Sequence, residues 1–491
     1  MTKYLYSAGQ AAEIDKHCIE QIGIPGMVLM EKAAMSVAAV IMERYKKQDP
    51  ILIVCGPGNN GGDGVCLGRI LHQQEYSVRI AVVGNSRSFS KDLKQQILIA
   101  DQCHVEFVSV DAISTQRNEL IVDALFGVGL SRDISGVYEQ VIGMINASGT
   151  CVCAIDIPSG IHGTSASVMG VAVKADYTVT FGMNKIGLVL FPGCEYAGDV
   201  FIADIGYPQE SFQNVPSLWY HYEVEDIPRL LPERKPYSNK GSYGKVMVIA
   251  GNEDMAGAAL LAGEAAYRMG AGLVRIVSAA VNRDVILNGL PEALFSTWDE
   301  LPDCLSWPDV VVLGPGIGRN EHAVHLVKNV LERVDVPVVL DGDALWIVGN
   351  ESVSLRKNMI VTPHVKEMSY LTGRDVSDIK RELCQVAEDY AAANDCVVVL
   401  KDARTIVSDG REGYINLSGN HGMATGGSGD VLTGFIAGLI AQNVSLFEAA
   451  KTGVYLHGLS GDLAVEQKGA YSFLARDYFY GLEILQTKYD K

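Results

Sequence analysis

The sequence has little that would direct the protein to nucleic acid, to a membrane or to an oxidising compartment. Acidic residues outnumber basic ones by 58 to 40, so nucleic acid and anionic lipid are unfavourable bulk partners. The apolar stretch 431–441 is much shorter than the roughly 20 residues of a membrane span. Residues 1–17 have no apolar segment of the signal-peptide type, and the ten cysteines form no Cys-X-X-Cys pair. We expect a cytoplasmic protein with neither nucleic acid nor membrane as a partner.

What the sequence does have is a globular composition, with 48% hydrophobic and 20% charged residues. Short apolar runs alternate with helix-like stretches, which is typical of parallel strands buried on both faces of a sheet. The runs lie at 51–55, 78–83, 120–124 and 151–155 in the first half, and at 245–251, 273–277, 309–313, 336–340, 359–362 and 397–400 in the second. Two helical stretches within 11–47, separated near Gly23–Gly26, precede the first run.

A domain boundary is indicated by proline, since five of the 16 prolines lie between residues 207 and 240. We therefore predict an α/β protein of two domains, residues 1–215 and 225–491, joined by a linker over 216–224. The first domain is predicted to be a doubly wound α/β sandwich.

The first glycine-rich segment is GPGNNGGDG, residues 56–64, between a predicted strand and a predicted helix over 65–73. It contains Gly-X-Gly-X-X-Gly, but the next strand ends without the acid that a dinucleotide dehydrogenase needs. No Lys-Ser or Lys-Thr pair follows, so it is not a P-loop either. Asn59, Asn60 and Asp63 make the segment unusually polar, although Asn-Gly and Asp-Gly are also common in plain turns.

Two further acids, Asp123 and Asp156, stand at the ends of predicted strands. The carboxyl ends of parallel strands converge on one crevice, where ligands bind. Asn60, Asp123 and Ser159 offer oxygen ligands suited to a hard cation, and Asp156 beside them is a candidate general base. The alternative for each aspartate is a helix N-cap.

The second glycine-rich segment is GMATGGSGDVLTG, residues 422–434, which precedes a predicted apolar helix over 431–442. Gly427, Ser428 and Gly429 allow successive N–H groups to face one concavity, where they would stabilise charge on a phosphoryl group. Asp430 is placed to take a proton from a hydroxyl that attacks that group. The alternative is a glycine-rich turn with a capping aspartate.

Smaller features support a phosphate site. GPGIG, residues 314–318, is a second candidate anion nest after a strand. Lys401 and Thr405 follow another strand and are candidates to flank nucleotide phosphates, although a single lysine there is more often a solvated charge. His364 is a candidate substrate contact, although a single histidine is more often structural. His322 and His325 lack the further ligands of a zinc site, and we interpret them as surface residues.

These motifs resemble a known enzyme family over nearly the whole chain. The N-terminal half resembles NAD(P)H-hydrate epimerases through GPGNNGGDG, DALFGVGLSRD and DIPSG. The C-terminal half resembles ribokinase-like NAD(P)H-hydrate dehydratases through NEDMAGAALLAGEAAYRMGAG, GPGIG, TPH, Lys401–Thr405 and GMATGGSGDVLTG. The resemblance implies a Rossmann-like α/β/α sandwich followed by a ribokinase-like α/β domain, in the arrangement of the bacterial bifunctional repair enzyme.

For the first domain, the resemblance implies interconversion of the R and S epimers of NADH hydrate and NADPH hydrate, with Asp156 as the catalytic residue. Potassium would be bound by Asn60, Asp123 and Ser159. The implied substrate-binding residues are Asn59, Asn60, Gly61, Gly62, Asp63, Gly127, Val128, Gly129, Leu130, Ser131, Arg132, Asp133 and Asp156.

For the second domain, the resemblance implies dehydration of the S epimer to NAD(P)H with conversion of ADP to AMP and phosphate, in the presence of magnesium. Asp430 would activate the C6 hydroxyl for phosphorylation. The residues implied to hold the hydrate are Ala258, Gly316, Gly318, His364 and Asp430. Those implied to hold the nucleotide are Lys401, Asp402, Ala403, Arg404, Thr405, Gly427, Ser428 and Gly429.

Two positions depart from the family pattern. Val128 stands where the epimerase loop often has threonine, so a side-chain hydroxyl is lost there. Asp402 stands where the dehydratase often has glycine, which adds negative charge near the expected nucleotide.

Two alternatives to the repair function remain at this stage. A ribokinase-like kinase of a sugar or vitamin alcohol, with the N-terminal domain as accessory, would share the Gly427–Asp430 chemistry but release a stable phosphorylated product. A non-catalytic N-terminal module would be signalled by loss of Asn60, Asp123 or Asp156, and all three are present. The family also suggests a homo-oligomer, for which residues 1–47 are a candidate contact surface.

Overall fold

The computed structural model describes residues 3–489, which form two units, one of Tyr4–Ser217 and one of residues 218–489 together with Lys3. The sequence predicts the end of the first domain at residue 215 and a linker over 216–224. The structure instead places a strand at Trp219–His221, which pairs in parallel with Gly413–Ile415 of the second unit. Residues 219–221 therefore belong to the second sheet.

The first unit contains a parallel sheet of seven strands in the order β4-β3-β2-β5-β6-β7-β9. Strands β1 and β8 also pair in parallel. The strands are β1 (Lys3–Tyr6), β2 (Ile51–Cys55), β3 (Val78–Val82), β4 (Glu106–Phe107), β5 (Leu120–Ala124), β6 (Cys151–Ile155), β7 (Tyr177–Phe181), β8 (Asn184–Lys185) and β9 (Asp199–Ala203).

The helices of the first unit are α1 (Ala8–His17), α2 (Gly26–Arg44), α3 (Asn59–Gln73), α4 (Lys91–Gln102), α5 (Ala112–Thr115), α6 (Val137–Ala147), α7 (Ile186–Val189), α8 (Gly193–Ala197) and α9 (Gln209–Asn214). A π-helical turn at Cys18–Ile22 continues α1. Ile53 packs with α2 and α3 on one face of the sheet, and Leu52 packs with α6 on the other. The predicted doubly wound sandwich is confirmed.

The second unit contains a sheet in the order β13-β12-β11-β14-β15-β16-β17-β18-β19-β10. Its strands are parallel except at the β17–β18 and β18–β19 pairs. They are β10 (Trp219–His221), β11 (Lys245–Ile249), β12 (Leu273–Ser278), β13 (Leu294–Thr297), β14 (Val310–Leu313), β15 (Val338–Leu340), β16 (Met359–Val361), β17 (Val397–Leu400), β18 (Ile406–Ser408) and β19 (Gly413–Ile415).

The helices of the second unit are α10 (Ile227–Leu230), α11 (Ala256–Arg268), α12 (Arg283–Gly289), α13 (Leu301–Cys304), α14 (Glu321–Arg333), α15 (Asp343–Asn350), α16 (Val365–Thr372), α17 (Val376–Arg381), α18 (Leu383–Asn394), α19 (Ser428–Ala441), α20 (Leu446–Lys468) and α21 (Asp477–Tyr489). Helix α19 is buried at every residue from Val431 to Ala441. It packs against α11, where a Cβ on Gly434 would lie 2.3 Å from the carbonyl oxygen of Ala262. That close approach requires a residue without a side chain where α19 packs on α11.

Both helices that follow the glycine-rich segments begin earlier than predicted. Helix α3 begins at Asn59 rather than residue 65, and α19 begins at Ser428 rather than residue 431. Asn59–Gly64 and Ser428–Asp430 are therefore first turns of helices, where backbone N–H groups have no intrahelical acceptor. Within residues 3–489, none of the helices combines the length and hydropathy needed to cross a bilayer.

Candidate functional site

The first unit has a cavity of about 740 Å³ beyond the carboxyl ends of its central strands. Polar residues line its wall from the start of α3 and from the segment after β5. Of the residues predicted to bind substrate, those that line the cavity are Asn59, Asn60, Asp63, Gly127, Val128, Gly129, Leu130, Ser131, Arg132 and Asp156. The two segments and Asp156, which are far apart in sequence, are thus brought to one site.

Three of the predicted substrate-binding residues are not part of this lining, namely Gly61, Gly62 and Asp133. A Cβ on Gly61 would lie 2.0 Å from the carbonyl oxygen of Gly56, and one on Gly62 would lie 2.7 Å from Cε of Met30. These two glycines allow α3 to pack closely on its neighbours. Their place in the structure explains why small residues occur there without requiring a ligand.

Asp156 follows β6 in a left-handed backbone conformation, with a φ of +67°. Its N–H donates to the carbonyl oxygen of Val179 at 2.8 Å, which places the residue beside β7. Lys185 Nζ donates to Asp156 Oδ1 at 2.7 Å, and this ammonium is 2% exposed. The other carboxyl oxygen, Oδ2, accepts only a long hydrogen bond of 3.4 Å from the N–H of Val128. Asp156 thus has one oxygen fixed by a cation and one available to a ligand.

Lys185 was not predicted from the sequence. Its ammonium also donates to Oγ1 of Thr180 at 2.7 Å and to the carbonyl oxygen of Phe181 at 3.0 Å. The signal that could have revealed it is a single charge inside the apolar segment 181–191, since a lysine is almost never fully buried without a partner. The structure supplies that partner as Asp156.

Asp15, Asp63 and Asp92 line the same cavity. Burial, together with the charges of Asp156 and Asp15, raises the pKa of Asp63 well above its usual range. Burial also raises the pKa of Asp15, whose Oδ1 accepts a hydrogen bond of 3.0 Å from the hydroxyl of Tyr207. Asp15 and Tyr207 were not among the predicted site residues, because nothing in their local sequence distinguishes them.

Of the predicted cation ligands, Asn60 lines the cavity, while Asp123 and Ser159 are buried outside its lining. Ser159 Oγ donates to Asp123 Oδ1 at 2.6 Å and lies 3.2 Å from the carbonyl oxygen of Phe126. The Ser159 N–H donates to Asp123 Oδ2 at 2.8 Å, and the Leu125 N–H donates to Oδ1 at 3.1 Å. Burial raises the pKa of Asp123 to about 6, although these hydrogen bonds oppose the rise.

This oxygen-rich arrangement fits a monovalent cation such as potassium. Three of the approximately four acceptor positions of the Asp123 carboxylate are used, which leaves one for an ion. Within residues 3–489, the buried side-chain nitrogen of Asn60 has no hydrogen-bond partner. Amide nitrogen and oxygen positions are interchangeable by a flip, so Asn60 can present an unpaired oxygen instead. A buried amide without a hydrogen-bond partner is a feature that a bound ion would account for.

The second unit places its candidate catalytic residue in the first turn of α19. Gly427 precedes this turn with a φ of +92°, a conformation that favours glycine. Asp430 lies three residues later, and its carboxyl has no hydrogen-bond or ion-pair partner within the described part of the chain. Burial and the charge of Asp341 raise the pKa of Asp430 to about 7, while Lys401 lowers it. The residue is thus suited to accept a proton near neutral pH.

The side chain and the carbonyl oxygen of Ser428 are both engaged in hydrogen bonds within the protein. Its Oγ donates to the carbonyl oxygen of Met423 at 2.8 Å and accepts from the hydroxyl of Tyr478 at 3.2 Å. Its carbonyl oxygen accepts a 3.0 Å hydrogen bond from Nε2 of His457, whose ring stacks on Tyr478. Burial lowers the pKa of His457 to about 3, which keeps it neutral. Neither His457 nor Tyr478 was predicted, and together they fix the turn that carries Asp430.

Lys401 reaches this turn from the end of β17. A Cβ on Gly429 would lie 3.3 Å from Lys401 Nζ. Lys401 Nζ donates to Asp341 Oδ1 at 2.7 Å, and that oxygen also accepts from the hydroxyl of Thr362 at 2.7 Å. Burial alone would lower the pKa of Lys401, but Asp341 and other nearby carboxylates outweigh it and the pKa is raised. Asp341 is thus an additional site residue, and it stands at a strand end as Asp156 does.

The other predicted nucleotide contacts form the turn after β17. Asp402 and Ala403 are exposed, whereas Arg404 and Thr405 are half-buried. Arg404 Nη1 donates to the carbonyl oxygen of Leu417 at 2.5 Å, and the Thr405 carbonyl accepts from the N–H of Asn416 at 2.9 Å. The added charge of Asp402 therefore lies at the surface.

His364 caps α16. Its Nδ1 accepts from the N–H of Glu367 at 3.0 Å, while the Glu367 carboxylate accepts from the N–H of His364 at 2.8 Å. Residue 364 pairs with residue 401 in an isolated parallel bridge, so His364 lies beside Lys401. Burial, and then Lys401, lower the pKa of His364. His364 therefore has a structural role as the cap of α16, and it also lies beside Lys401 at the second candidate site.

The predicted anion nest at 314–318 lies against α11. A Cβ on Gly316, which has a φ of +61°, would lie 3.2 Å from Cβ of Ala258. Gly318 N–H donates to Oδ2 of Asp343 at 2.9 Å, so this N–H is already engaged by a carboxylate. Ala258 is buried on α11. The three residues predicted to hold the hydrate in this region therefore lie near one another, while His322 and His325 are exposed on α14.

Comparisons with known proteins assign both halves of the chain. Residues 26–187 match the family described as YjeF-related protein N-terminus, and residues 246–480 match NAD(P)H-hydrate dehydratase. The bifunctional NAD(P)H-hydrate repair enzyme of Thermofilum pendens is 37% identical over 93% of this chain and 91% of its own length. The enzyme of the same name from Coxiella burnetii is 36% identical over 98% of this chain and 99% of its own.

A solved structure supports the fold of the second unit. The ADP/ATP-dependent NAD(P)H-hydrate dehydratase of Bacillus subtilis, co-crystallised with ATP and Mg²⁺, is 32% identical. The match covers 55% of this chain and 98% of that protein, with a TM-score of 0.51. A ribokinase-like protein of Enterococcus faecalis is 28% identical with a TM-score of 0.52. The ribokinase-like fold predicted for this half is confirmed.

Proposed function

The chain belongs to the family of bifunctional NAD(P)H-hydrate repair enzymes, and we propose that it restores damaged NADH and NADPH in two steps at two sites. The first site interconverts the R and S hydrates. The second removes the added water from the S hydrate at the expense of ADP. The observation that carries this proposal is that one chain contains both a cavity around Asp156 and a glycine-rich turn that leads to Asp430. The same chain is related to such enzymes over more than nine-tenths of its length.

At the first site, Asp156 acts as the base. Inversion at C6 of the hydrate requires that hydroxide leave and that water add to the opposite face of the ring. Asp156 Oδ1 is fixed by Lys185, so Oδ2 is the atom that takes the proton of the incoming water. The buried ammonium of Lys185 keeps the Asp156 carboxylate in place.

We propose that a potassium ion binds beside this cavity. Asn60, Asp123 and Ser159 would hold it, supported by the unpaired amide of Asn60 and the free acceptor position of Asp123. The ion would supply positive charge near the substrate. The chain itself positions the segment after β5 in the cavity wall, since Ser159 Oγ accepts from the N–H of Phe126 at 2.8 Å.

At the second site, Asp430 takes the proton of the C6 hydroxyl. The hydroxyl oxygen then attacks the terminal phosphorus of ADP, and the bond to the AMP oxygen breaks. Phosphate next leaves C6 with the former hydroxyl oxygen, assisted by the ring nitrogen lone pair, and loss of a proton from C5 restores the C5–C6 double bond. Phosphate is a far better leaving group than hydroxide, which explains why a dehydration consumes a nucleotide.

The nucleotide would lie between the first turn of α19 and the turn 401–405. The N–H groups at the start of α19 stabilise negative charge on the transferred phosphoryl group. Lys401 adds a positive charge next to Gly429. Magnesium would arrive with the nucleotide, held mainly by phosphate oxygens and water. We favour ADP over ATP because ADP goes with the fused arrangement of the two domains.

A further part of the proposal is a cytoplasmic homo-oligomer. None of the ten cysteines forms a disulfide within residues 3–489, which suits a reducing compartment. Val28, Met35 and Met42 are exposed along α2 at seven-residue spacing, which places them on one face of the helix. Light scattering on purified protein tests the oligomer, and a monomer at micromolar concentration would contradict it.

The test of the repair function uses a mixture of R and S NADH hydrate with magnesium and potassium. ADP, ATP or no nucleotide is added, and the return of reduced-nicotinamide absorbance is followed. Recovery of both epimers with ADP is expected. Recovery of only the S fraction would contradict the epimerase assignment. No recovery with either nucleotide would favour the kinase alternative, which a screen of small alcohols for a stable phosphorylated product would then examine.

A further inference from the structure

Charged groups from three elements of the second unit meet beside Asp430. Asp341 follows β15, Lys401 follows β17, and Asp430 lies in the first turn of α19. A Cβ on Gly429, the residue before Asp430, would lie 3.3 Å from Lys401 Nζ and 3.7 Å from Asp341 Oδ2. The pair therefore reaches the backbone of the catalytic turn itself.

The Asp341–Lys401 pair is more than a surface ion bridge. Asp341 is 4% exposed and shares its Oδ1 between Lys401 Nζ and the Thr362 hydroxyl, each at 2.7 Å. Removal of one residue of a buried ion pair leaves the other charge uncompensated, which favours its interaction with another group of opposite charge. The carboxyl of Asp430 has no partner of its own within residues 3–489. A Lys401 released from Asp341 would therefore find Asp430 as a second carboxylate.

The remaining charged groups of this region do not compete for Asp430. His364 and Glu367 of α16 are joined in a reciprocal capping arrangement. Burial raises the pKa of Glu367 to about 7, and its charged neighbours are Lys401, Asp341 and Arg319. Arg319 Nε donates to a different carboxylate, Asp343, at 2.7 Å. Only Asp341 and Lys401 act electrostatically on Asp430 itself.

We propose that Asp341 is a positioning residue of the dehydratase site, which holds Lys401 away from Asp430 and so keeps Asp430 able to accept the hydroxyl proton. The inference rests on the proposed role of Asp430 as the base. Asp341 and Lys401 have opposite effects on the pKa of Asp430, and with both present they partly cancel. Loss of Asp341 alone would leave the cation unbalanced and make Asp430 a weaker base.

The test is the pH dependence of kcat for dehydration at saturating ADP. In Asp341→Asn, the acidic limb is expected to move down by about one pH unit, because an unbalanced cation favours the charged carboxylate. The plateau kcat is expected to fall about tenfold, because a weaker base takes the proton less readily. The double variant Asp341→Asn with Lys401→Met removes both charges, so its limb should return towards that of the wild type.

The double variant also protects the test against misfolding, because it leaves no unpaired buried charge. Lys401 is proposed to touch the nucleotide, so the double variant should raise the KM for ADP and lower kcat, and the comparison uses only the pH position of its acidic limb. Asp309→Asn is the matched control. It lies at the amino end of β14, where Asp309 Oδ2 accepts from the N–H of Lys245, and its profile should match the wild type.

The outcomes separate the inference from the proposed function. An Asp341→Asn limb that coincides with the wild type in folded protein would overturn the inference. An acidic limb of the double variant that stays at the position of the Asp341→Asn limb would overturn it too, since the unbalanced charge of Lys401 would then not be the cause of the shift. Absence of dehydration activity in the wild type would instead refute the proposed function. Dehydration activity that persists in Asp430→Asn would refute the role of Asp430.

Discussion

The ammonium of Lys185 lies 2.7 Å from Oδ1 of Asp156, and both residues are buried. The two come from different strands of the first unit, since Asp156 follows β6 and Lys185 ends β8. The contact leaves Asp156 Oδ2 as the oxygen available to a ligand. The catalytic carboxylate is therefore oriented by a residue that no short motif contains.

Replacement of Lys185 by methionine tests this arrangement. We expect epimerisation to fall by a factor of about 100, because Asp156 loses the cation that orients it. The free energy of unfolding should also fall by about 3 kcal/mol, since one member of a buried pair is removed. Rates of R-to-S conversion and urea denaturation measure the two effects.

The control for Lys185→Met is Lys174→Met, at an exposed lysine of the same unit. It should leave both quantities unchanged, and dehydration of S hydrate provides an internal standard within each preparation. Epimerisation at the wild-type rate in Lys185→Met would mean that Asp156 does not depend on its partner.

Separate variants should dissociate the two activities. Asp430→Asn is expected to abolish dehydration while leaving epimerisation intact, because only the proton acceptor of the second site is lost. Asp156→Ala should do the reverse. Each activity is measured alone. Dehydration is measured as AMP formation from pure S hydrate, and epimerisation as conversion of one pure epimer into the other without nucleotide. Loss of both activities from one folded variant would contradict the assignment of two sites.

Much of the fold could be predicted from the sequence because fully apolar runs such as Ile51–Cys55 are buried on both faces of a parallel sheet. The strand Tyr177–Phe181 escaped prediction because two threonines interrupt its apolar pattern. Thr178 is nevertheless buried, since its hydroxyl donates to the carbonyl oxygen of Ala197 at 2.7 Å. A tertiary hydrogen bond of this kind cannot be read from local sequence.

The early starts of α3 and α19 have a related cause. Glycine has low helix propensity and favours turns, so segments 59–64 and 428–430 resemble loops in sequence. In the structure, Gly61 and Gly62 lie within α3, at positions where their neighbours approach too closely for a Cβ. Packing decides the conformation there, and packing involves residues distant in sequence.

The candidate site could be predicted only in part. Asp156 and Asp430 were found because each lies in a distinctive local motif, at a strand end or a helix start. Asp341 stands at a strand end as well, and the same rule applied throughout would have found it. Lys185 and His457 were not predictable, since their importance comes from single contacts with distant residues.

The pH dependence of dehydration should follow Asp430. Its pKa of about 7 means that the carboxyl is protonated below that pH and cannot accept the hydroxyl proton. We expect kcat to fall about tenfold for each pH unit on the acidic side and to level off above pH 8. AMP formation is the appropriate measure, because reduced nicotinamides decompose in acid. A kcat that stays constant between pH 5 and pH 8 would exclude Asp430 as the base.

Potassium should be required for epimerisation through Asn60. We expect Asn60→Ala to raise the potassium concentration for half-maximal rate by at least about tenfold, because one oxygen ligand is lost. The rate is measured against KCl at constant ionic strength, with choline as the balancing cation. Asn85→Ala, at an exposed position of the same unit, serves as the control. Equal rates with and without potassium in the wild type would remove the ion from the proposal.

The contact between α11 and α19 should depend on Gly434. A Cβ there would lie 2.3 Å from the Ala262 carbonyl oxygen, and this backbone atom cannot move aside as a side chain can. We expect Gly434→Ala to lower the free energy of unfolding by about 1–3 kcal/mol through overpacking. Gly257→Ala is the matched control on α11, where a Cβ would meet nothing within 4 Å. Alanine there should be neutral or stabilise by up to about 1 kcal/mol, because it is the better helix former. Urea denaturation measures both variants, and equal stabilities would show that α11 can shift to accept the extra methyl group.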